Sequence, residues 1–512
     1  MHPQTQLTVL INSLSAKEKS AFFKRENAVL AENKHASLLS RKPSLSRSEI
    51  LKKLKLSKKG YKKFCESTYT QLCHFLLSDK GFLINDIPYN LRENQMMAEL
   101  LKERGLIAEA KKKIEKAIEI AMQSELFSNE ISLRHQYLQI MFYQQEASSH
   151  DKILPFLQRM ESIIAMQREQ EELKLIYRQL ITLRYKMALR TSLEEQEEVK
   201  LIDDQLKEFL PESLRSNTAS IYYYQSCLLV SFMLGRTANI SGWNNSLLEH
   251  WEQQSHLIPL HQDLFVRAVS LQAYTQFLIK DIAGAKAFLE RYRDLATKHL
   301  LSVFYQDWFA IVDFQTITKV LHKTYQYEEL ENFFSKKWEL SYKQLPVLGE
   351  AEKLDVLMSV CITFFVLQQW QNAETIILEI KANNQKIKRI DTLYFTFVFH
   401  SLILYEQKEW TRLDSHINSG YHFLYSNNAL RPFEKDMLLF IKKLPIAMLK
   451  GKAKEIMNAF LHKLDAYRDN ETQKLHFATF DYYSWIESKI EEVSYITHMK
   501  RKALNQQTTD RK

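Results

Sequence analysis

The stretch Asn94–Ala121, NQMMAELLKERGLIAEAKKKIEKAIEIA, decides the fold. Met97, Leu100, Leu101 and Leu106 recur at helical spacing, Ala98 is small enough for a partner helix to come close, and Gly105 stands where a first helix should end. A second helix opens at Ile107. Its apolar face is expected to be Ile107, Ala110, Ile114, Ala117, Ile118 and Ala121, with Glu109, Lys111, Lys112, Lys113, Glu115 and Lys116 left in water. Two short amphipathic helices cannot bury both faces alone, so the unit implies neighbours of its own kind.

Composition points the same way. A chain of 512 residues exceeds the size at which a single core keeps growing, so several domains or a quasi-linear stack is expected. It holds only nine Gly and nine Pro, against average usage of roughly 7% and 5%. That leaves little material for hairpins, sheet edges or glycine-rich nucleotide loops, and the fold class is read as all-α.

The stretch resembles a tetratricopeptide repeat. That family wants a small residue midway through its first helix (Ala98), Gly at the turn (Gly105), a bulky residue opening the second helix (Ile107), then small, large and small residues (Ala110, Ile114, Ala117). The Trp, Leu and Pro of the full pattern are missing. The resemblance implies an α-α superhelix whose first helices line a concave, peptide-holding face.

Taking Ala110 as the anchor of a second helix, matching anchors fall at Ala285, Leu330, Ala373, Leu413 and Ala453. Bulky residues precede four of them by three, at Ile282, Tyr327, Trp370 and Trp410, and large ones follow by four, at Leu289, Phe334, Ile377, Ile417 and Met457. The small position of the first helix is filled by Ala273, Thr318, Cys361 and Ser401 and fails at Ile441. Three further anchors are inferred more from spacing than from residues, near Pro155, Val199 and Ile240, and the last has a clear turn in LGRTANISGW. A repeat of about 40–45 residues is longer than the 34 of the tetratricopeptide pattern and overlaps the period of HEAT and armadillo repeats, so HEAT-like stacking stays open. A final helix over about Gln473–Lys500 is expected to close the stack, with KRKALNQQTTDRK as a frayed tail. The expected division is therefore a small basic helical domain at 1–89, an elongated tetratricopeptide-like solenoid at 90–465, and a capping helix with its tail at 466–512. Ile87-Pro88 marks the first boundary, because a residue before proline leaves the helical region.

Charge is unevenly spread. Residues 1–90 hold 16 Lys+Arg against 7 Asp+Glu, which accounts for the whole net charge of +9, since the remaining 54 basic and 54 acidic residues cancel. Ser15 can cap a helix carrying Phe22 and Phe23, and SLSAKEKSAFFK is similar to the start of certain uncharacterised bacterial helical-repeat proteins. Farther on, Lys52, Lys53, Lys55, Lys58, Lys59, Lys62 and Lys63 form a basic run with Tyr61 and Phe64 interleaved, in the outline of a helix-turn-helix. Such a stripe can lie on phosphates and give salt-dependent, sequence-blind affinity. The bland alternative is a solvated helix face or one docked on acidic repeats. The outline also departs from helix-turn-helix chemistry, with Leu51 where a small residue belongs and Lys55 where Gly belongs at the turn.

Motifs with catalytic chemistry are lacking. The sequence has no HExxH, P-loop, dinucleotide fingerprint or nucleophile elbow. Cys65, Cys73, Cys227 and Cys361 are too few and too scattered for a disulfide framework, and Cys65 and Cys73-His74 match no common zinc spacing. No cofactor and no metal are expected. The longest charge-free run, Ser216–Gly235, has the length of a membrane span but carries seven polar residues and reads as a buried helix, so no membrane partner is expected and the cytoplasm is the default.

Family geometry, applied to this chain, puts Gln315, Lys319, His322 and Lys323 on one inner surface suited to a carboxylate or an acidic peptide. The equivalent positions farther on are Met358, Ile362, Phe365, Val398, Leu402 and Tyr405, which implies either a tightly wound superhelix or an apolar groove for a partner helix. The functional expectation is a non-enzymatic scaffold or adaptor that binds a protein or peptide through its solenoid. The alternative is a nucleic-acid-linked regulator with a basic head and a peptide-sensing or dimerising repeat body.

Overall fold

The computed structural model describes residues 87–143, 150–186, 193–299, 301–387, 389–426, 430–468 and 480–509, with single positions at 57, 59, 62, 63 and 66. Among them every regular element is a helix. The helix carrying Phe22 and Phe23 and most of the helix-turn-helix outline lie outside the described residues. The chain divides into two compact units, 1–167 and 168–512.

In the first unit, α1 (Ile87–Glu103), α2 (Ile107–Gln123) and α3 (Phe127–Tyr143) follow one another, and α4 (His150–Lys186) begins within it. Pro88 falls in the first turn of α1, where a backbone N–H has no helical partner to lose. Gly105 takes the left-handed conformation at φ +77°, and α2 starts at Ile107 as expected. Ala110, Ile114, Ala117 and Ala121 are buried, whereas Ile107 and Ile118 are only half-buried. The stripe expected on α1 is displaced: Leu91, Asn94 and Ala98 face inward, while Met97, Leu100 and Leu106 are exposed. On α3, Glu130 is fully buried and neutralised by Arg134 at 2.8 Å and Arg159 at 3.6 Å.

The second unit is a stack of helical hairpins. After α4 come α5 (Leu193–Lys207), α6 (Asn217–Met233), α7 (Ile240–Gln253), α8 (Gln262–Leu278), α9 (Ile282–Lys298), α10 (Val303–Lys323) and α11 (Tyr327–Gln344). The stack continues with α12 (Glu350–Val366), α13 (Trp370–Ile387), α14 (Ile390–Glu406), α15 (Trp410–Ser426), α16 (Pro432–Leu449) and α17 (Ala453–Arg468). Four second helices begin at the bulky residues read from the sequence, Ile282, Tyr327, Trp370 and Trp410. The anchors Ala285, Leu330, Ala373 and Leu413 are buried, and so are Leu289, Phe334, Ile377, Ile417 and Met457 four residues after their anchors.

One backbone device ends the first helix of each of these pairs. Gly235, Lys280, Tyr325, Gln368, Lys408 and Gly451 all adopt positive φ, between 59° and 68°. At Lys408 the N–H reaches Tyr405 O at 3.0 Å and the N–H of Glu409 reaches Leu404 O at 3.0 Å, which closes the orphaned carbonyls in a Schellman motif. The other five turns carry the same pair of bonds.

First and second helices bury differently. Val360–Val366 on α12 are buried without a break, so that helix is covered on all sides. By contrast α9 buries the one-sided set Ala285, Phe288, Leu289, Tyr292 and Leu295. The charge-free run forms α6, capped by Ser216, whose Oγ accepts the N–H of Ala219 at 3.1 Å. Its polar residues are partly satisfied inside the stack: Gln225 donates to Leu264 O at 2.9 Å, and across the next interface Asn244 bonds Thr275 Oγ1 at 3.1 Å.

Four further expectations need correction. Pro155 is exposed on α4, which runs on to Lys186, so it anchors no buried face of a short second helix. Ile240 is buried as expected of an anchor but is also the residue that opens α7, and Asn244, Leu247, Leu248 and Trp251 continue its face. The expected closing helix is two helices, α18 (Tyr482–Ile490) and α19 (Tyr495–Thr509), parted at Glu492 with φ 57°. The segment expected to fray continues α19 as far as Thr509.

That closing hairpin turns back onto the stack. Phe480 packs on Phe365 of α12 and Phe399 of α14 at ring distances of 5.5 and 5.2 Å. Trp485 is 1% exposed, sits 5.6 Å from the Tyr405 ring, and donates its Nε1–H to Glu406 at 2.7 Å. Lys489 meets the same carboxylate at 2.6 Å, and Lys500 of α19 reaches Glu328 of α11 at 2.9 Å. Met358, Ile362, Phe365, Val398, Leu402 and Tyr405 are accordingly buried, and the apolar surface they form is filled by the chain itself.

Candidate functional site

Upstream of that filled stretch the first-helix layer carries a small groove. Ser270, Ala273, Tyr274 and Phe277 of α8 and Val312, Gln315, Thr316 and Lys319 of α10 line it, and it is shallow and open to solvent. These residues lie three and four apart on each helix, so each pair of turns offers one facing set to the neighbouring first helix.

Tyr274 is the centre of the groove. Lys319 Nζ stands 4.0 Å from its ring centroid, and the Arg184 guanidinium, from α4, stands 5.6 Å from the same ring and 5.5 Å from that of Phe232. An aromatic face attracts cations through its quadrupole and holds both long side chains in place. Gln315, 8% exposed, directs its Nε2 towards the Tyr274 hydroxyl at 3.3 Å, Ser359 Oγ at 3.2 Å and Asp355 O at 3.4 Å. Among the described residues no carboxylate forms an ion pair with Arg184 or Lys319. Both cations are thus held at the ring of Tyr274, which lines the groove.

Of the four residues picked from the sequence, Gln315 and Lys319 line this groove. Lys323 lies one turn on, with its ammonium near Lys319, Lys280 and Asp481. Lys323 is exposed to solvent, but crowding of its head group holds its pKa below the usual lysine value, against the pull of Asp481 and with a smaller push from Lys319 and Lys280. His322 turns instead towards α11, its ring 5.8 Å from Tyr327. Burial is the main cause that brings its pKa down to about 4, so the ring is neutral at neutral pH and offers no charge to an anion. Sequence reading missed Arg184 and Tyr274. Tyr274 directly follows the small position Ala273, a neighbour relation that was available, but Arg184 belongs to a helix whose repeat register the period did not reveal.

For the basic run, Lys59, Lys62 and Lys63 are exposed on helical backbone, and Lys62 lies 3.8 Å from Glu66. Lys52, Lys53, Lys55 and Lys58 lie outside the described residues.

Elsewhere the titratable clusters are structural. Glu374 binds Arg412 and Gln407 and lies 3.7 Å from His400, whose ring is 4.4 Å from that of His416. Burial first, and for His416 also the nearness of His400, lowers the two imidazoles to about 4 and about 3. Among the described residues no group of three His, Cys, Asp or Glu side chains is placed to hold a metal ion. Burial pushes the Cys227 thiol up to about 12 and raises Cys361 well above its ordinary value, which suppresses the thiolate that nucleophilic chemistry needs. Among the described residues no helix is long and apolar enough to cross a membrane.

No family model matches the sequence, and no curated protein matches it. Among solved structures, the crystal structure of yeast Tom70 aligns over 86% of this chain and 96% of its own length, at 11% identity and a TM-score of 0.31. An overlap of that size carries no weight for fold or function, and the helical-repeat architecture rests on the coordinates described above.

Proposed function

We propose that this chain is a non-enzymatic, cytoplasmic scaffold that holds a protein or peptide on the first-helix face of its repeat stack, with an acidic side chain or terminal carboxylate of the ligand entering the groove at Tyr274. The observation that carries this reading is the pair Arg184 and Lys319, both held against one tyrosine ring with no carboxylate partner among the described residues. An incoming carboxylate would take charge-assisted hydrogen bonds from both cations, stronger than neutral ones. Lys280 extends the positive field along the same edge, while Asp481 offsets Lys323, and together they favour a short acidic segment rather than a long one. Gln315 is already committed to Tyr274 and Ser359, so its role is to fix the ring rather than to bind. Residues 1–89 and 466–512 serve as a basic head and a closing segment.

The test is binding of the full chain to an array of peptides graded in Asp and Glu content. Wild type is expected to select carboxylate-rich peptides, and Lys319→Glu with Arg184→Glu is expected to weaken that binding by about tenfold or more, since like-charge contacts replace complementary ones. Selection of the same peptides with undiminished affinity by the double variant would exclude the groove.

A further inference from the structure

At the end of the stack where α14 gives way to α15 and α16 to α17, apolar and cationic side chains share one exposed surface. Leu449 is 90% exposed, Ile446 58%, Met448 49% and Trp410 38%. Trp410 packs on the buried Tyr405 at 5.7 Å, and the Tyr405 hydroxyl meets Met448 Sδ at 3.4 Å, so one tyrosine lies between Trp410 and Met448. Ile446 and Leu449, three apart on α16, lie on one outward stripe of that helix. Single exposed apolar residues are ordinary on a protein surface, but a leucine 90% exposed beside a second exposed apolar residue on one helical stripe, among lysines, has the make-up of an interfacial contact.

The charges around it are distinctive. From Met437 to Lys454 the chain carries five lysines and no acidic residue. Lys442 and Lys454 are paired with Asp414 and Glu492. Lys408, Lys443, Lys450 and Lys452 are exposed, and no ion pair engages any of them among the described residues. Glu409 and Glu455 border the patch and leave it net positive.

We propose that this edge docks on an anionic lipid bilayer surface, with Leu449 and Ile446 entering the headgroup region and Lys443, Lys450 and Lys452 meeting lipid phosphates and carboxylates. The chemistry is that of interfacial binding: shallow apolar insertion at a hairpin tip, a tryptophan beside it at headgroup level, and lysines that add electrostatic attraction. No helix needs to span the bilayer. An acidic protein partner would use the lysines equally well, but it offers no fluid apolar layer to receive Ile446 and Leu449 at the exposed end of α16.

The experiment is co-sedimentation of the full chain with phosphatidylcholine vesicles with and without phosphatidylserine. Salt-sensitive binding is expected only where phosphatidylserine is present. Leu449→Glu, and separately Lys450→Glu with Lys452→Glu, should each weaken it by about tenfold. Leu201→Glu, a change at another exposed apolar position, should leave it unaltered. These sites are open to solvent, so the variants are expected to fold, and circular dichroism checks that. An environment-sensitive dye on Leu449→Cys should shift to shorter wavelength with phosphatidylserine vesicles. Absence of binding to those vesicles, or binding equal to wild type in both patch variants, overturns the proposal. The second result would transfer the attraction to the basic residues of 1–90 or to another surface.

Discussion

At the scale of single residues, the turns are built in a conformation that the sequence does not favour. A left-handed backbone costs an L-residue roughly 1–2 kcal/mol, a cost glycine escapes. Yet Lys280, Tyr325, Gln368 and Lys408 occupy it where Gly235 and Gly451 stand in equivalent turns. The Schellman bonds and the packing of each hairpin hold them there. Gln368→Gly and Lys408→Gly should therefore each stabilise the protein by about 1 kcal/mol, read as a rise in the denaturation midpoint. An unchanged or lowered midpoint would mean that these side chains make native contacts that outweigh the strain. Glycine is thus a poor marker of these turns in the sequence. The readable sign is the bulky residue that opens the second helix two positions on, as Trp370 does after Gln368.

At the scale of elements, legibility tracks burial. Second helices expose one face, so their 3.6-residue period is visible and places their starts at Ile282, Tyr327, Trp370 and Trp410. First helices are apolar on nearly every side, as in Val360–Val366, and such a sequence carries no direction that says which neighbour covers which face. The return of α18 is hidden for a further reason: its partners lie about eighty residues away in the chain, as Glu406 does from Trp485, and no local pattern records them. Its hold is concentrated at Glu406, whose carboxylate accepts from both Trp485 and Lys489 in a setting where its side chain is only 11% exposed. Glu406→Ala leaves a buried indole N–H and a half-buried ammonium without their acceptor. It should cost about 2 kcal/mol and speed amide exchange selectively across 482–499. Exchange in that segment at the wild-type rate would show that Phe480 and Trp485 suffice by packing alone.

At the scale of the whole molecule, two kinds of inner surface result from one repeating plan. Around α12 and α14 the first-helix layer is closed by the chain's own last hairpin, while around Tyr274 it remains open and positively charged. Half of the proposed site is readable from the sequence, because Gln315 and Lys319 fall in register with the small positions of α10. The other half is not, because Arg184 enters from α4, a helix of 37 residues that outruns either helix of the expected repeat. Closure of the stack by its last hairpin is the feature on which this division of surfaces depends, and a zero-length carbodiimide cross-link on the native chain tests it most directly. The expected products, in the monomer, are an amide between Glu328 and Lys500, 172 positions apart and 2.9 Å across, and another between Glu406 and Lys489 at 2.6 Å. Formation of only sequence-local cross-links, such as Glu197 to Lys200, with neither long-range product, would contradict it.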